Sequence, residues 1–185
     1  MILEDDSVKL RALEPADALV MWEVESDRSQ WLYNGMLAPF SAKSLADYAS
    51  NYEADPFKAG QIRLVAMRKT DCPASSQPEY MKGCENIGLV DLYDISPSDR
   101  NAFVGIYILP NFRGHGLAGK SLDLTCRYAA DILNLECLAA KVVEGNESSR
   151  RLFEQAGFTH AGTLRKWILC GNRRCDLLYY QKPLR

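Results

Sequence analysis

The residues best suited to chemistry form one glycine-rich run, Arg113-Gly114-His115-Gly116-Leu117-Ala118-Gly119, which follows an apolar segment and opens an amphipathic one. Glycines let the backbone turn tightly and approach a ligand closely. Free N–H groups and the dipole at a helix start favour an anion such as a pyrophosphate, and Arg113 can add a charge-assisted contact. The run is not a Walker A motif, because it does not end in Gly-Lys-Ser/Thr, and it is not assigned as a Rossmann fingerprint, although Gly114, Gly116 and Gly119 have the G-x-G-x-x-G spacing. An ordinary glycine-rich turn between a strand and a helix is the alternative interpretation.

A second candidate is the carboxylate that interrupts the apolar segment Leu89-Val90-Asp91-Leu92-Tyr93. A charged residue in such a segment is unusual, and Asp91 could take a proton from an ammonium group through water. The alternative is a strand residue on the solvated face of a sheet.

A third group of candidates could line the entry of a cationic substrate, because carboxylates and aromatic faces both suit cations. The alternative is a solvated helix end with aromatic packing. The group consists of Glu23, Glu25, Asp27, Trp31 and Tyr33.

The elements that position these residues follow from hydrophobic periodicity. Helices are predicted from Pro15 to about Glu25, after the N-cap Ser41, from the glycine-rich run to about Asn134, and over 148–156, where Gly157 ends the helix. Strands are predicted at 8–11, 63–67, 87–93, 102–109, 139–143, about 162–169 and about 174–182. The segment 70–83 is predicted to be a surface loop.

Three predicted helices have an apolar face. These faces are Leu19 and Trp22 on the first helix; Leu45, Tyr48, Ala49 and Tyr52 on the second; and Ala118, Leu122, Thr125, Ala129 and Ile132 on the third.

The resulting order, β-α-α-β-β-β-α-β-α-β-β, predicts one α+β domain over residues 1–185. Its centre is expected to be a mixed, mostly antiparallel sheet of about seven strands flanked by about four helices. The β-α-β unit around the glycine-rich run should supply the parallel pairing.

Composition excludes several classes of protein. The chain has 185 residues, 47% of them hydrophobic, and a net charge of −2. A nucleic-acid binder would usually be basic, and no apolar run reaches the roughly 18 residues of a membrane helix. The N-terminus lacks the pattern of a signal peptide, so a cytoplasmic protein is expected. With two histidines and no C-x-x-C pair, no metal site is expected, and the six cysteines should be free thiols.

Two segments together resemble the GCN5-related N-acetyltransferase (GNAT) family. Val104-Gly105-Ile106-Tyr107-Ile108-Leu109-Pro110-Asn111-Phe112-Arg113-Gly114-His115-Gly116-Leu117-Ala118 looks like the signature strand of that family and its R/Q-x-x-G-x-G/A loop. Asn146-Glu147-Ser148-Ser149-Arg150-Arg151-Leu152-Phe153-Glu154-Gln155-Ala156-Gly157-Phe158 resembles its N-x-x-S…G-F helix. The pattern is most similar to the bacterial subgroup of spermidine and ribosomal-protein N-terminal acetyltransferases.

This resemblance implies a binding site for acetyl-CoA. Backbone groups of Ile106, Tyr107 and Ile108 would pair with the pantetheine arm as an added strand does, and a strand N–H would steady the oxyanion. The run from Arg113 to Gly119 would hold the pyrophosphate, with His115 supplying backbone only. Asn146 and Ser149 would complete the site, although Asn146 could equally be a plain helix cap.

One position departs from the family pattern. Many members place a tyrosine seven residues after the motif asparagine, where it protonates the leaving thiolate, and here that residue is Phe153. The acid would then be Tyr93, Tyr107 or water, or no dedicated acid would act.

The resemblance therefore implies transfer of an acetyl group from acetyl-CoA to a primary amine by direct attack. The acceptor could be a polyamine, an amino sugar, an antibiotic or a protein N-terminus, and the loss at Phe153 slightly favours peptides. A non-catalytic acyl-CoA-binding module is the alternative, and a nucleotide-binding protein is disfavoured. The last hairpin could pair with a second subunit to form a homo-oligomer.

Overall fold

The computed structural model describes residues 3–28, 31, 38–70 and 81–185 and contains a seven-stranded mixed sheet. The strand order is β1-β2-β3-β4-β5-β7-β6, and each neighbouring pair is antiparallel except β4 and β5, which are parallel. The predicted fold class is thereby confirmed. The strands are β1 (Val8–Ala12), β2 (Gln61–Lys69), β3 (Cys84–Ser96), β4 (Asn101–Ile108), β5 (Cys137–Val143), β6 (Thr159–Cys170) and β7 (Arg173–Pro183).

Five α-helices have both ends within the described ranges, and one of them was not predicted. The additional helix is a single turn, Pro56–Ala59, which begins at the N-cap Asp55 and ends at Gly60 with φ of 69°. Proline at the first helical position and glycine after the last are typical helix-terminating choices. The helices are α1 (Ala18–Glu25), α2 (Ala42–Ser50), α3 (Pro56–Ala59), α4 (Leu117–Asp131) and α5 (Glu147–Gln155).

Helices cover both faces of the sheet and give two buried clusters. On one face α4 and α5 pack over residues of β1 to β5 and β7, with Leu122 and Phe153 among the buried side chains. On the other face α1 and α2 pack only over β2 to β4. The rest of this second face, toward β5 and β7, includes the half-buried Phe103 and Tyr179. No helix of the described ranges is long and apolar enough to cross a bilayer.

The apolar face predicted for α1 is wrong. Leu19 and Trp22 are 76% and 49% exposed, and the buried side chains are Val20, Met21 and Val24. The cause lies just before the helix, where the buried carboxylate of Asp17 accepts two hydrogen bonds, of 2.6 and 2.7 Å, from the guanidinium of Arg11. Because residues three, four and seven positions after Asp17 share its side of a helix, this ion pair turns the buried face toward the sheet.

The stripe predicted for α2 is correct, since Leu45 and Ala49 are buried and Tyr48 and Tyr52 are half-buried. On α4 the predicted stripe holds through Ala129, but Ile132 is 52% exposed because the helix already ends at Asp131.

The parallel junction between β4 and β5 is short. Only Asn101, Ala102 and Phe103 of β4 pair with β5, opposite Cys137, Leu138 and Ala139. Meanwhile β4 stays paired with β3 as far as Ile108. The two parallel strands therefore diverge after Phe103 and leave the β5 side of β4 without a partner strand.

Candidate active site

The diverging strands open a cleft of about 1420 Å³, and it collects nearly all the residues predicted to form the site. Of the residues predicted to bind acetyl-CoA or to act in catalysis, His115 alone does not line the cleft, and of the predicted acidic entry Glu25 lines it while Glu23 and Asp27 do not. The predicted binding and catalytic residues that line it are Asp91, Tyr93, Ile106, Tyr107, Ile108, Arg113, Gly114, Gly116, Leu117, Ala118, Gly119, Asn146 and Ser149. Elements far apart in sequence thus meet at one place, although their individual roles stay predictions.

The glycine-rich loop has the backbone shape that an anion site needs. Gly114 and Gly116 have φ of 82° and 74°, and no heavy atom lies within 4 Å of where a Cβ would stand on either. Helix α4 begins directly after Gly116, and its first helical hydrogen bond runs from Lys120 N to Gly116 O. The preceding N–H groups lack helical acceptors, so they and the helix dipole suit a pyrophosphate.

The side chain of Arg113 does not extend into this loop. Its Nε donates to the carbonyl of Ile108 at 2.8 Å, and its Nη2 lies 3.6 Å from the carboxylate of Asp27. The hydroxyl of Tyr107 donates to the same carboxylate at 2.6 Å. Burial, followed by the hydrogen bond and charge of Asp27, raises the pKa of Tyr107. Its proton is therefore held by Asp27, which makes Tyr107 the weaker of the two tyrosine candidates for a catalytic acid.

Asp91 has a partner that was not predicted. Its two oxygens accept hydrogen bonds of 2.7 and 2.9 Å from Arg63 on the neighbouring strand. Arg63 also donates to Glu25 at 3.2 Å. Burial alone would lower the pKa of Arg63, but Asp91 and then Glu25 raise it, so the guanidinium stays charged. Two carboxylates against one guanidinium leave one net negative charge beside the cleft.

The predicted acidic entry is thus a set of ion pairs rather than a row of free carboxylates. Glu25 pairs with Arg63, Asp27 lies beside Arg113, and Glu23 is exposed. The indole of Trp31 donates to the carbonyl of Glu25 at 2.9 Å. Tyr33 lies outside the described residues.

Next to Asp91 the cleft is lined by Tyr93, which belongs to a cluster of aromatic rings. Tyr93 stacks on Phe103 with ring centroids 5.6 Å apart, and Phe103 meets Tyr179 edge-on at 6.1 Å. Burial, then the charges of Asp94 and Asp91, raise the pKa of Tyr93 to about 12. Tyr93 therefore remains protonated near neutral pH, and the raised pKa makes it a weak proton donor.

The second motif caps a helix, in agreement with the alternative interpretation of Asn146. The side chain of Asn146 accepts hydrogen bonds from Ser149 N at 3.2 Å and from the hydroxyl of Ser148 at 3.0 Å. This contact starts α5 beside the cleft. Phe153, on the same helix, is only 3% exposed and packs edge-on against Phe158 at 5.1 Å. It is a core residue whose ring also borders the cleft.

Phe153→Tyr is expected to lower the free energy of unfolding by about 1–3 kcal/mol, because the added hydroxyl enters an apolar cluster. Turnover should change little, since a thiolate leaves easily without an acid. Thermal unfolding and CoA release would be measured. Phe158→Tyr is the matched control, since that ring is equally buried but does not line the cleft. A rise in turnover of more than about a hundredfold in Phe153→Tyr alone would contradict this prediction.

Three basic residues that line the cleft were not predicted as site residues: Arg63, Lys141 and Arg151. Arg151 could have been predicted, because it belongs to the basic pair Arg150-Arg151 within the second motif. Arg63 and Lys141 occupy ordinary strand positions, and only the pairing of their strands shows what they face.

The described cysteines agree with the expected chemistry. Cys126, Cys137, Cys170 and Cys175 are free thiols, as predicted. Cys84 is buried, and Cys72 lies outside the described residues. The predicted loop 70–83 falls mostly outside them too.

Comparison with known proteins identifies the family. Residues 7–159 match the family described as Acetyltransferase (GNAT) domain. Spermidine N(1)-acetyltransferase of Escherichia coli (strain K12) is 27% identical over 160 residues, covering 85% of this chain and 76% of that protein. Ribosomal N-acetyltransferase YdaF of Bacillus subtilis is 30% identical over 93 residues. That match covers 50% of this chain, which spans about half the length of this relative.

Solved structures show the same fold. Spermidine N-acetyltransferase from Vibrio cholerae, in complex with CoA and spermine, superimposes with a TM-score of 0.80 over 97% of both chains at 24% identity. A dodecameric structure of that enzyme gives a TM-score of 0.75. The matched residues 7–159 include both sequence motifs and the strands β1 to β5, between the last two of which the cleft opens. The chain therefore belongs to the GNAT acetyltransferase family, as its two motifs predicted.

Proposed function

We propose that this protein binds acetyl-CoA in the cleft between β4 and β5 and transfers the acetyl group to a cationic primary amine. The observation that carries the proposal is the junction of two chemically different halves in one cleft. One half holds an anion-binding loop and an unpaired strand edge, and the other holds carboxylates and aromatic rings.

The loop half fits the co-substrate. The open, positive-φ backbone at Gly114 and Gly116 leaves space where a pyrophosphate can approach the N–H groups of α4. Arg151 borders the same half and can add charge. The β5-facing edge of β4, beyond Phe103, offers main-chain groups to the pantetheine arm.

In the proposed reaction the ammonium of the acceptor first loses a proton to water held by Asp91. The amine then attacks the thioester carbonyl, and N–H groups of β4 stabilise the oxyanion. The C–S bond breaks and CoA leaves as a thiolate, which takes a proton from Tyr93 or from water, while the nitrogen of the new amide gives up its second proton to the solvent. Arg63 holds the carboxylate of Asp91 at the edge of the cleft through two hydrogen bonds.

The acceptor proposed first is a polyamine. The net negative charge of the Glu25–Arg63–Asp91 cluster and the ring of Tyr93, which lines the cleft, suit an ammonium ion. The similarity to spermidine acetyltransferases extends over most of the chain. A protein N-terminus is the second candidate, favoured by Phe153 in place of the family tyrosine. The proposed enzyme acts in the cytoplasm and forms a homo-oligomer, which the dodecameric neighbour supports.

An acceptor screen by CoA release tests this function. The panel contains spermidine, spermine, an aminoglycoside, an amino sugar and short peptides beginning with Ala or Ser. We expect release with spermidine and binding of acetyl-CoA at about micromolar affinity by calorimetry. Release with peptides alone would establish the second candidate. Binding of CoA without release for any amine would instead identify a non-catalytic module, and the absence of both would refute the proposal.

A further inference from the structure

Lys141 carries a primary amine into the acceptor half of the cleft. Its ammonium lies 4.1 Å from the ring centroid of Phe103 and 5.3 Å from that of Tyr93. Aromatic faces suit ammonium ions, and of these two rings that of Tyr93 lines the cleft. The protein's own lysine thus occupies a cation-binding position inside an acetyltransferase cleft.

The strand register brings this lysine close to the place proposed for the thioester. Phe103 of β4 is opposite Ala139 of β5 at the last parallel pair. Two residues further along each strand are Gly105 and Lys141, and both line the cleft. The next residue of β4 is Ile106, where the edge proposed to hold the pantetheine arm begins.

Apart from the two rings, the contact that holds the Lys141 ammonium is a long ion pair at the protein surface. Its ion pair with Asp94 is 3.5 Å long, and the Asp94 side chain is 65% exposed. Such exposed pairs are weak, and the four-carbon stem of lysine is flexible. The ammonium can therefore leave the rings and swing along the cleft toward the level of Gly105, while Asp94 offers a carboxylate near the amine.

We propose that Lys141 is a self-acetylation site, an inference that rests on the proposed acetyl-CoA-dependent function. Its ammonium loses a proton to solvent or to a nearby carboxylate, and the neutral nitrogen attacks the acetyl carbonyl of bound acetyl-CoA. An N–C bond forms, the C–S bond breaks, and CoA leaves as a thiolate that takes up a proton. The products are Nε-acetyl-lysine at position 141 and free CoA.

In the experiment the whole protein is incubated with acetyl-CoA and without an acceptor amine. The protein is then digested with a protease that does not cleave at lysine, and mass spectrometry measures the acetylated fraction of each lysine. Lys43 and Lys58 are internal references for uncatalysed acetylation, because their side chains are 82% and 73% exposed. We expect Lys141 to react at least about tenfold faster than either, since bound reactants benefit from proximity. The half-time should not depend on protein concentration.

Two variants sharpen the test. Gly116→Val should reduce acetylation at Lys141 to the reference rate without changing Lys43, because it removes bound acetyl-CoA. Lys141→Arg keeps a positive charge at this position but should eliminate acetylation there. Acetylation of Lys141 no faster than Lys43, or a rate that rises with protein concentration, would overturn self-acetylation. If the protein still releases CoA with an external amine, the proposed function survives that result; if it does not, both fail.

Discussion

Gly116→Val should weaken binding of acetyl-CoA by about a hundredfold or more while the protein remains folded. Gly116 has φ of 74°, and no heavy atom stands within 4 Å of the place that a Cβ would take, so the valine would project into the open space of the loop. Two hydrogen bonds from backbone N–H groups to a charged phosphate, worth about 1.5–3 kcal/mol each, would be lost. Each 1.4 kcal/mol corresponds to about tenfold in affinity.

Gly60→Val is the matched control for this experiment. Gly60 has a similar φ of 69° and equally open surroundings, but it follows α3 and does not line the cleft. A side chain in this backbone region costs roughly 1–2 kcal/mol, so both variants should lose similar stability by circular dichroism. Calorimetry should show normal acetyl-CoA binding for Gly60→Val only. Normal binding by a folded Gly116→Val would show that the loop assignment is wrong.

The largest loss of stability is expected for Gly88→Ala. A Cβ on Gly88 would stand 2.0 Å from the carbonyl oxygen of Tyr107 and 3.0 Å from the Cα of Ile108. Both are backbone atoms of the paired strand β4, so neither can move aside as a side chain could. We expect a loss of more than about 4 kcal/mol in the free energy of unfolding. Because domains of this kind are stable by only about 5–15 kcal/mol, much of the variant should be unfolded.

Gly105→Ala gives the comparison for this second experiment. It lies on the neighbouring strand, and its Cβ would meet only Cε1 of Tyr93, at an ordinary contact distance of 3.7 Å. Its effect on the free energy of unfolding should stay within about 1 kcal/mol. Urea titrations of both variants would measure the difference. Equal midpoints for the two would contradict the close approach of β3 and β4.

Local sequence signals predicted the positions of the strands and of the cofactor loop because the relevant physics is local. Gly114 and Gly116 permit a backbone that other residues resist, and Asn146 caps the helix that follows it. The buried face of α1 escaped prediction because Leu19 and Trp22 satisfy the helical period as well as Val20 and Met21 do. The choice between the two faces was made by a side-chain ion pair with β1.

The acceptor half of the site was harder to predict, since its chemistry depends on partners distant in sequence. Asp91 alone looks like an available base, and only the pairing of β2 with β3 shows that Arg63 binds both of its oxygens. The residues that surround Lys141 in the sequence do not indicate that it lines the cleft. Its significance comes from the rings of Phe103 and Tyr93, which belong to two other strands.

The three-pair junction between β4 and β5 also has a consequence for the cooperativity of unfolding. Few main-chain hydrogen bonds cross it, so cohesion between the two halves of the sheet depends on the side chains beneath α4 and α5, which belong to one buried cluster. Regions with fewer such bonds open at lower free energy than the whole domain. We therefore expect β5, β7 and β6 to act as a unit whose amides exchange with solvent faster than those of β1 to β4. A ligand touching both β4 and α5 would clamp that unit and slow its exchange.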